Sequence, residues 1–195
     1  GDAGGSGVGN PGPGSGGRCH ARHPMASRRT GATTSGGTLV EAFPPPRIIG
    51  HRGAPAEALE NTLESMAAAF AAGADGIECD VRSTHDGALV LLHDPDLERV
   101  AGRPERLRAI SGRAARAIRL HGGLRLPTLG ELLELAGARQ RTRPVEQRLL
   151  LDLELKDHDV TAAVLAELRR HELTSLDVVI TCFAPGPVAE VVATP

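Results

Sequence analysis

The sequence of 195 residues is long enough for one domain, or for one domain with a tail. Its net charge of -2 provides no strong field for nucleic acid or for an anionic membrane, and the absence of Trp and Tyr argues against recognition by aromatic stacking. No apolar run approaches the roughly 18 residues that span a bilayer, and the N-terminus lacks the apolar core of a secretory signal. We therefore expect a soluble, cytoplasmic protein that does not bind nucleic acid.

Residues 1–46 differ in composition from the rest of the chain. They are rich in Gly, Pro, Ser and Arg and hold hardly any aliphatic side chain before Leu39. Such a segment cannot bury enough apolar surface to offset its conformational entropy. We predict a disordered tail here, with a flexible basic interaction arm as the alternative, followed by one domain over residues 47–195.

Strands and helices alternate in the first half of this domain. Short aliphatic runs predict strands. An alanine-rich stretch with Leu63, Met66 and Phe70 at spacings of three and four predicts a helix that Asn61 or Thr62 caps. The predicted elements are a strand at 47–50, a helix at 65–72, a strand at 76–82, a turn at His85-Asp-Gly and a strand at 88–92.

The second half continues the alternation after an Arg-rich, irregular stretch at residues 97–126. Thr128 is placed to cap the first helix that follows this stretch. Strands that alternate with helices across short loops are typical of a parallel α/β fold. The predicted elements are a helical turn at 113–118, a helix from Thr128, a polar loop at 139–147, a strand at 149–155, a helix at 160–171, a strand at 178–181 and a helix at 187–192.

Charged side chains collect on single faces of two predicted strands. Residues two apart in a strand share a face, so Glu78 and Asp80 point together, as do Glu154 and Lys156. Buried carboxylates are costly unless they are paired or bind a metal. Glu78, Asp80 and Glu154 together offer three hard oxygen ligands, which suit Mg²⁺ or Ca²⁺ better than zinc. The alternative for a Glu-x-Asp pair is a solvated edge face.

Two histidines follow predicted strands, His51 after the first and His93 after the third. In a parallel barrel both would emerge at the C-terminal mouth, where such enzymes place their sites. Two imidazoles can cleave a phosphoester by general acid–base catalysis, since one accepts a proton and the other protonates the leaving oxygen. Arg52 and Lys156 would supply positive charge for the phosphate oxygens.

These residues lie in motifs that resemble the glycerophosphodiester phosphodiesterase family over about residues 47–183. The resemblance implies a TIM barrel and metal-dependent hydrolysis of glycerophosphodiesters to glycerol 3-phosphate and an alcohol. The matching motifs are Gly50-His-Arg-Gly, Glu60-Asn-Thr, Gly73-Ala-Asp-Gly-Ile-Glu-Cys-Asp-Val, Thr84-His-Asp-Gly, His93-Asp-Pro-Asp-Leu-Glu-Arg, Pro127-Thr-Leu-Gly-Glu and Leu153-Glu-Leu-Lys. The roles it implies are an acid–base pair of His51 and His93, one divalent cation (Mg²⁺ or Ca²⁺) on Glu78, Asp80 and Glu154, and phosphate binding by Arg52 and Lys156, with Glu60 as a further site position.

The chain departs from that family in the number of strands. A (β/α)₈ barrel takes roughly 250 residues, whereas about 150 residues follow Arg47. Five strands are predicted, and Cys182-Phe183 stands where the family has Ser-Phe after its fifth strand. We therefore predict an incomplete barrel of about five βα units that lacks the C-terminal strands.

Alternatives to this function remain open from the sequence. One is a non-catalytic barrel fragment, either unstable or completed by a binding partner. Another keeps the enzyme class but takes a lysophospholipid or sphingolipid, as in related phospholipase D-type barrels. Within the main hypothesis, the nucleophile is either water or the glycerol 2-hydroxyl of the substrate, and the head group is not fixed.

Overall fold

Four parallel strands organise the computed structural model, which describes residues 46–171 and 175–193. The predicted tail therefore lies, except for Pro46, outside the described residues. The strands are Ile49–His51 (β1), Gly76–Ser83 (β2), Leu89–Leu91 (β3), Asp96–Leu97 (β4), Arg103–Arg106 (β5), Leu150–Leu155 (β6) and Asp177–Thr181 (β7). The helices are Leu63–Ala71 (α1), Glu98–Ala101 (α2), Gly112–Ala117 (α3), Leu129–Gln140 (α4), Thr161–Arg170 (α5) and Pro185–Ala193 (α6), with 3₁₀ turns at Leu107–Ala109 and His121–Gly123.

The main sheet has the strand order β1-β2-β6-β7, and all three of these pairings are parallel. A helix follows each of the four strands in the chain, namely α1, α4, α5 and α6. Successive parallel βα units whose strands are neighbours in the sheet are the repeating element of a TIM barrel. The prediction of a partial barrel of parallel βα units is thereby confirmed.

The third predicted strand is the exception, because β3 pairs antiparallel with β2. All five predicted strands lie in this sheet, and among the described residues four of them form parallel βα units. The reason lies in the length of the connection. Residues 84–88 are enough for a tight turn between antiparallel strands, whereas a parallel pairing needs a crossover of a dozen residues or more.

The core lies between one face of the sheet and the helices α1, α4 and α5. Alternate side chains of β2 and β6 are buried here, while the intervening side chains point to the opposite face. Thr62 caps α1 by accepting the Ser65 N–H, and Thr128 forms a capping box with Glu131 at the start of α4. The buried strand residues are Ile77, Cys79, Val81, Leu151, Leu153 and Leu155.

Residues 84–128 form an insertion between β2 and its helix α4, and they have an apolar core of their own. The irregular stretch predicted at 97–126 contains the β4–β5 pair, and the predicted helical turn at 113–118 is present as α3. No helix among the described residues is both long and apolar enough to cross a membrane. The second core consists of Val90, Leu92, Leu97, Val100, Leu107, Ala115, Leu120 and Leu126.

Candidate active site

The strand register brings ionisable side chains together on the face of the sheet opposite the helices, which we call the open face. Glu78 on β2 pairs in register with Asp152 on β6, and Asp80 pairs with Glu154 two residues further along the same strands. His51 ends β1 and pairs with Glu78. Because parallel pairing aligns equivalent positions, the predicted period of two places these carboxylates side by side.

Glu78, Asp80 and Glu154 form what we call the carboxylate cluster. Each offers one oxygen, and the three oxygens lie within 4.8 Å of one another. Glu78 Oε1 and Asp80 Oδ1 are buried and have no hydrogen-bond partner among the described residues. Buried carboxylate oxygens without a partner are costly, so the cluster fits a hard divalent cation that accepts oxygen ligands. The donor set does not distinguish Mg²⁺ from Ca²⁺.

Asp80 is fully buried and is held by three neighbours. Asn61 Nδ2 donates to its Oδ2 over 2.7 Å, and the Asp80 backbone N–H donates to Asn61 Oδ1 over 3.2 Å. Lys156 Nζ lies 3.1 Å from Asp80 Oδ1, and Arg52 Nε lies 3.0 Å from Oδ2. Both distances are ion-pair contacts, although their angles are poor for hydrogen bonds. Asp80 is therefore fixed in position while Oδ1 keeps capacity for a further ligand.

Within the carboxylate cluster, burial and neighbouring negative charges oppose the ionisation of Glu78. Burial, the charge of Asp80 and the charge of Glu154 raise the pKa of Glu78 to about 7, against a hydrogen bond from the Arg52 backbone N–H. Burial acts to lower the pKa of Lys156, but its close contacts with the negatively charged Glu154 and Asp80 carboxylates outweigh burial and raise it. Lys156 therefore stays cationic, and a proton on Glu78 relieves the repulsion between carboxylates.

The turn after β1 delivers Arg52 to the carboxylate cluster. Arg52 has φ 55°, and its backbone N–H donates to the Glu78 backbone carbonyl and to Glu78 Oε2, both over 3.0 Å. Gly53 follows with φ +90°, and a Cβ there would lie 2.4 Å from Ser65 Oγ on α1. Only glycine allows this close approach at a left-handed backbone position. His51 is well exposed, with Nε2 3.8 Å from Glu78 Oε2.

His93 reaches the site by a route that the sequence analysis did not predict. It follows an antiparallel strand, so it does not emerge from the end of a parallel barrel strand. The Leu92 N–H donates to the Asp80 backbone carbonyl over 3.0 Å, which brings His93 beside the middle of β2. The His93 carbonyl accepts from Arg82 Nε over 2.9 Å, and Arg82 also pairs with Asp157. The insertion is thereby anchored to β2, and Arg82 links it further to Asp157 just after β6.

A chain of ion pairs connects His93 to the carboxylate cluster. Starting from His93, its members are Asp94, Arg99, Glu60, Arg52 and Asp80. Burial acts to raise the pKa of Glu60, but hydrogen bonds and charges from Arg99 and Arg52 outweigh it and lower the pKa. With this chain, the structure joins all eight predicted site residues in one connected group.

Three residues of this group carried no functional prediction from the sequence. Asn61 was considered only as a helix cap, a role that Thr62 takes, and Asp94 and Arg99 had no role. All three lie inside motifs that resemble the family, which was the one available signal. Asn61 contacts Asp80 across 19 residues and Arg99 contacts Glu60 across 39, whereas Asp94 contacts near neighbours in the chain. Local periodicity does not encode such pairings.

Comparison with known proteins assigns the chain to one family. The parallel βα units define a partial barrel of the TIM type, and the carboxylate cluster lies on the open face of its sheet. Residues 51–188 match the model of the glycerophosphoryl diester phosphodiesterase family. The chain belongs to this family.

The chain covers only part of the length of each relative that it matches. The chain is 50% identical over 56 residues to a protein from Mycobacterium tuberculosis named probable glycerophosphodiester phosphodiesterase 1, which is 29% of this chain and 20% of that relative. A crystal structure of a glycerophosphoryl diester phosphodiesterase homologue from Silicibacter pomeroyi shares 31% identity with a TM-score of 0.62, covering 74% of this chain and 60% of that chain. A phosphodiesterase from Oleispira antarctica, solved with the product sn-glycerol-3-phosphate, shares 25% identity with a TM-score of 0.68, covering 76% of this chain and 62% of that chain. The chain thus spans about 60% of these solved structures.

Proposed function

We propose that the protein hydrolyses glycerophosphodiesters to glycerol 3-phosphate and an alcohol, with one divalent cation held by the carboxylate cluster. The observation that carries the proposal is the pair of buried oxygens on Glu78 and Asp80 that accept no hydrogen bond from the described residues, beside Glu154. Membership of the family supports it, as does the product bound by the Oleispira antarctica relative. When bound, Mg²⁺ or Ca²⁺ would supply Lewis-acid polarisation of a phosphoryl oxygen.

The charge balance of the carboxylate cluster with its two cations favours an anionic substrate together with a divalent ion. When all three carboxylates are ionised, they oppose the two cations Arg52 and Lys156, which leaves one excess negative charge. A divalent cation would turn this into one excess positive charge, which matches a phosphodiester monoanion. We therefore assign Arg52 and Lys156 to phosphate binding, while Glu60 holds Arg52 through a 3.0 Å hydrogen bond.

Proton transfer is assigned to His51 and His93. One imidazole would take the proton of the attacking hydroxyl, and the other would give a proton to the leaving oxygen as its bond to phosphorus breaks. His51 is well exposed, so its ring is accessible to a ligand on the open face. The attacking hydroxyl is either water or the glycerol 2-hydroxyl, and the second choice passes through a cyclic phosphate. We place this chemistry in a domain of residues 47–195 and leave residues 1–46 outside it.

Hydrolysis of glycerophosphocholine with Mg²⁺, with Ca²⁺ and with EDTA tests the proposal. Release of glycerol 3-phosphate should depend on the cation. Glu78→Gln should weaken divalent-ion binding by calorimetry and lower turnover, because it removes a ligand charge. Glu134→Gln, on the exposed side of α4, is the matched control and should retain both.

Other outcomes would replace this function. Turnover of lysophosphatidylcholine in preference to glycerophosphocholine would move the substrate to lysophospholipids. Absence of activity together with absence of a cooperative melt would indicate a non-catalytic fragment. Equal ion affinity for Glu78→Gln and the parent protein would remove the carboxylate cluster from metal binding.

A further inference from the structure

The ring of His93 makes one strong contact on the side of Nδ1. Asp94 Oδ1 lies 2.7 Å from this nitrogen, which is a short distance for a hydrogen bond between a charged and a neutral group. An ionised carboxylate can only accept hydrogen bonds, so the proton of this contact belongs to the imidazole. The contact therefore selects the tautomer that has its proton on Nδ1 and leaves Nε2 free.

Asp94 is held ionised and oriented by Arg99. Arg99 Nε donates to Asp94 Oδ2 over 2.6 Å, so each carboxylate oxygen has its own partner and Oδ1 is directed at the ring of His93. Burial acts to raise the pKa of Asp94, but hydrogen bonds from Arg99 and His93 and their charges outweigh it and lower the pKa. At neutral pH this carboxylate is an acceptor for Nδ1–H.

Arg99 is held in turn by Glu60, which also contacts Arg52 beside the carboxylate cluster. Arg99 Nη2 donates to Glu60 Oε1 over 2.7 Å, and the same oxygen accepts from Arg52 Nη1 over 3.0 Å. Each side-chain charge along this line touches charges of opposite sign. Together with the anchored carbonyl of His93, the line leaves the ring little freedom to turn.

We propose that Asp94, oriented by Arg99, fixes His93 in the Nδ1–H tautomer, so that Nε2 is the atom that exchanges a proton with the substrate. The inference rests on the proposed function for the reaction itself. If His93 acts as the acid, its Nε2 proton passes to the leaving alcohol oxygen, which keeps the electron pair of the broken P–O bond. The ring is then neutral and still bonded to Asp94 through Nδ1–H. Asp94 and Arg99 are positioning residues, since they act through His93.

The tautomer can be measured without any assay of activity. In the full chain labelled with ¹⁵N-histidine, His93 is assigned by the resonances that disappear in His93→Gln. At a pH where the ring is neutral, the parent protein should show a protonated Nδ1 and an unprotonated Nε2. A dominant Nε2–H form in the parent protein would overturn the inference directly, whether or not any variant folds.

Asp94→Asn tests the cause of the tautomer. The amide can present its NH₂ group to Nδ1, which would favour the Nε2–H form. We expect a mixed or reversed tautomer and a fall in kcat of about 10²-fold, with KM changed by less than about threefold, because positioning of an acid–base group acts in the transition state. Asp94→Glu should restore the Nδ1–H form and part of kcat. An unchanged tautomer and an unchanged kcat in Asp94→Asn would overturn the inference.

Asp96→Asn is the matched control. It removes the same charge two residues away, where Asp96 Oδ1 accepts the Glu98 backbone N–H, and it should leave the His93 tautomer and kcat unaltered. His93→Gln distinguishes the acid–base role of His93 from the positioning role of Asp94. If it retains turnover, the acid–base role in the proposed function fails. If it loses turnover while Asp94→Asn does not, the positioning role alone is wrong.

Discussion

The carboxylate cluster is positioned by backbone pairing, because the β2–β6 register sets Asp80 beside Glu154. His93 lies in the insertion, and its ring is positioned by side-chain ion pairs through Asp94 and Arg99. Asp80 is fully buried, whereas the Arg99 side chain is 48% exposed. One half of the candidate site is therefore built into the sheet, and the other half depends on contacts that water and salt can weaken.

The largest expected difference between the two halves is in stability. Asp80→Ala leaves Lys156 and Arg52 without their fully buried partner and removes the acceptor of Asn61 Nδ2. We expect a loss of about 3 kcal/mol in the free energy of unfolding. Asp94→Ala removes partly exposed contacts and should cost no more than about 1 kcal/mol.

Urea denaturation of both variants, in EDTA and at matched ionic strength, measures this difference. The metal-free condition keeps ion binding out of the comparison. If Asp80→Ala is as stable as the parent, relief of repulsion within the carboxylate cluster outweighs the lost ion pairs. The sheet half would then be under electrostatic strain and would not be reinforced by Asp80.

Substitution of His51 should separate an effect on catalysis from an effect on stability. Among the described residues, the His51 side chain has one ion-pair contact, at 3.8 Å from Glu78, and it is 70% exposed. His51→Ala should therefore leave the free energy of unfolding within about 0.5 kcal/mol of that of the parent protein. If His51 exchanges a proton in the reaction, kcat should fall by about 10²-fold or more. His121→Ala, in an exposed 3₁₀ turn, is the control. Turnover near that of the parent protein would remove His51 from the mechanism.

The same comparison explains what the sequence could predict. A period of two in β2 and β6 was enough to group Glu78, Asp80 and Glu154, because parallel register carries a local pattern across strands. The antiparallel direction of β3 could also have been predicted from the sequence, because the connection from β2 to β3 is too short for a crossover. The contacts of Asn61 and Arg99 were not, because they join side chains from separate elements and follow no local period.

The last effect we predict is a pH dependence of ion affinity at the carboxylate cluster. The pKa of Glu78 is raised to about 7, so below that pH a divalent cation must displace a proton to bind. Ion affinity should rise by up to about tenfold per pH unit on approaching pH 7 and level off above it. Calorimetry in two buffers with different ionisation enthalpies should count close to one released proton at low pH.

The sign of the accompanying stability change follows from the same pKa. In the folded, ion-free protein the pKa of Glu78 lies above its ordinary value of 4.5, so its contribution to stability is complete below about pH 4.5 and is lost as pH rises through about 7. Added Mg²⁺ or Ca²⁺ should therefore raise the melting temperature more at pH 8 than at pH 6. Glu78→Gln should remove this difference, because the amide does not titrate, while Asp94→Asn should keep it. A pH-independent ion affinity in the parent protein would mean that Glu78 is already ionised across this range, and that Arg52 and Lys156 neutralise the carboxylate cluster without help from a proton.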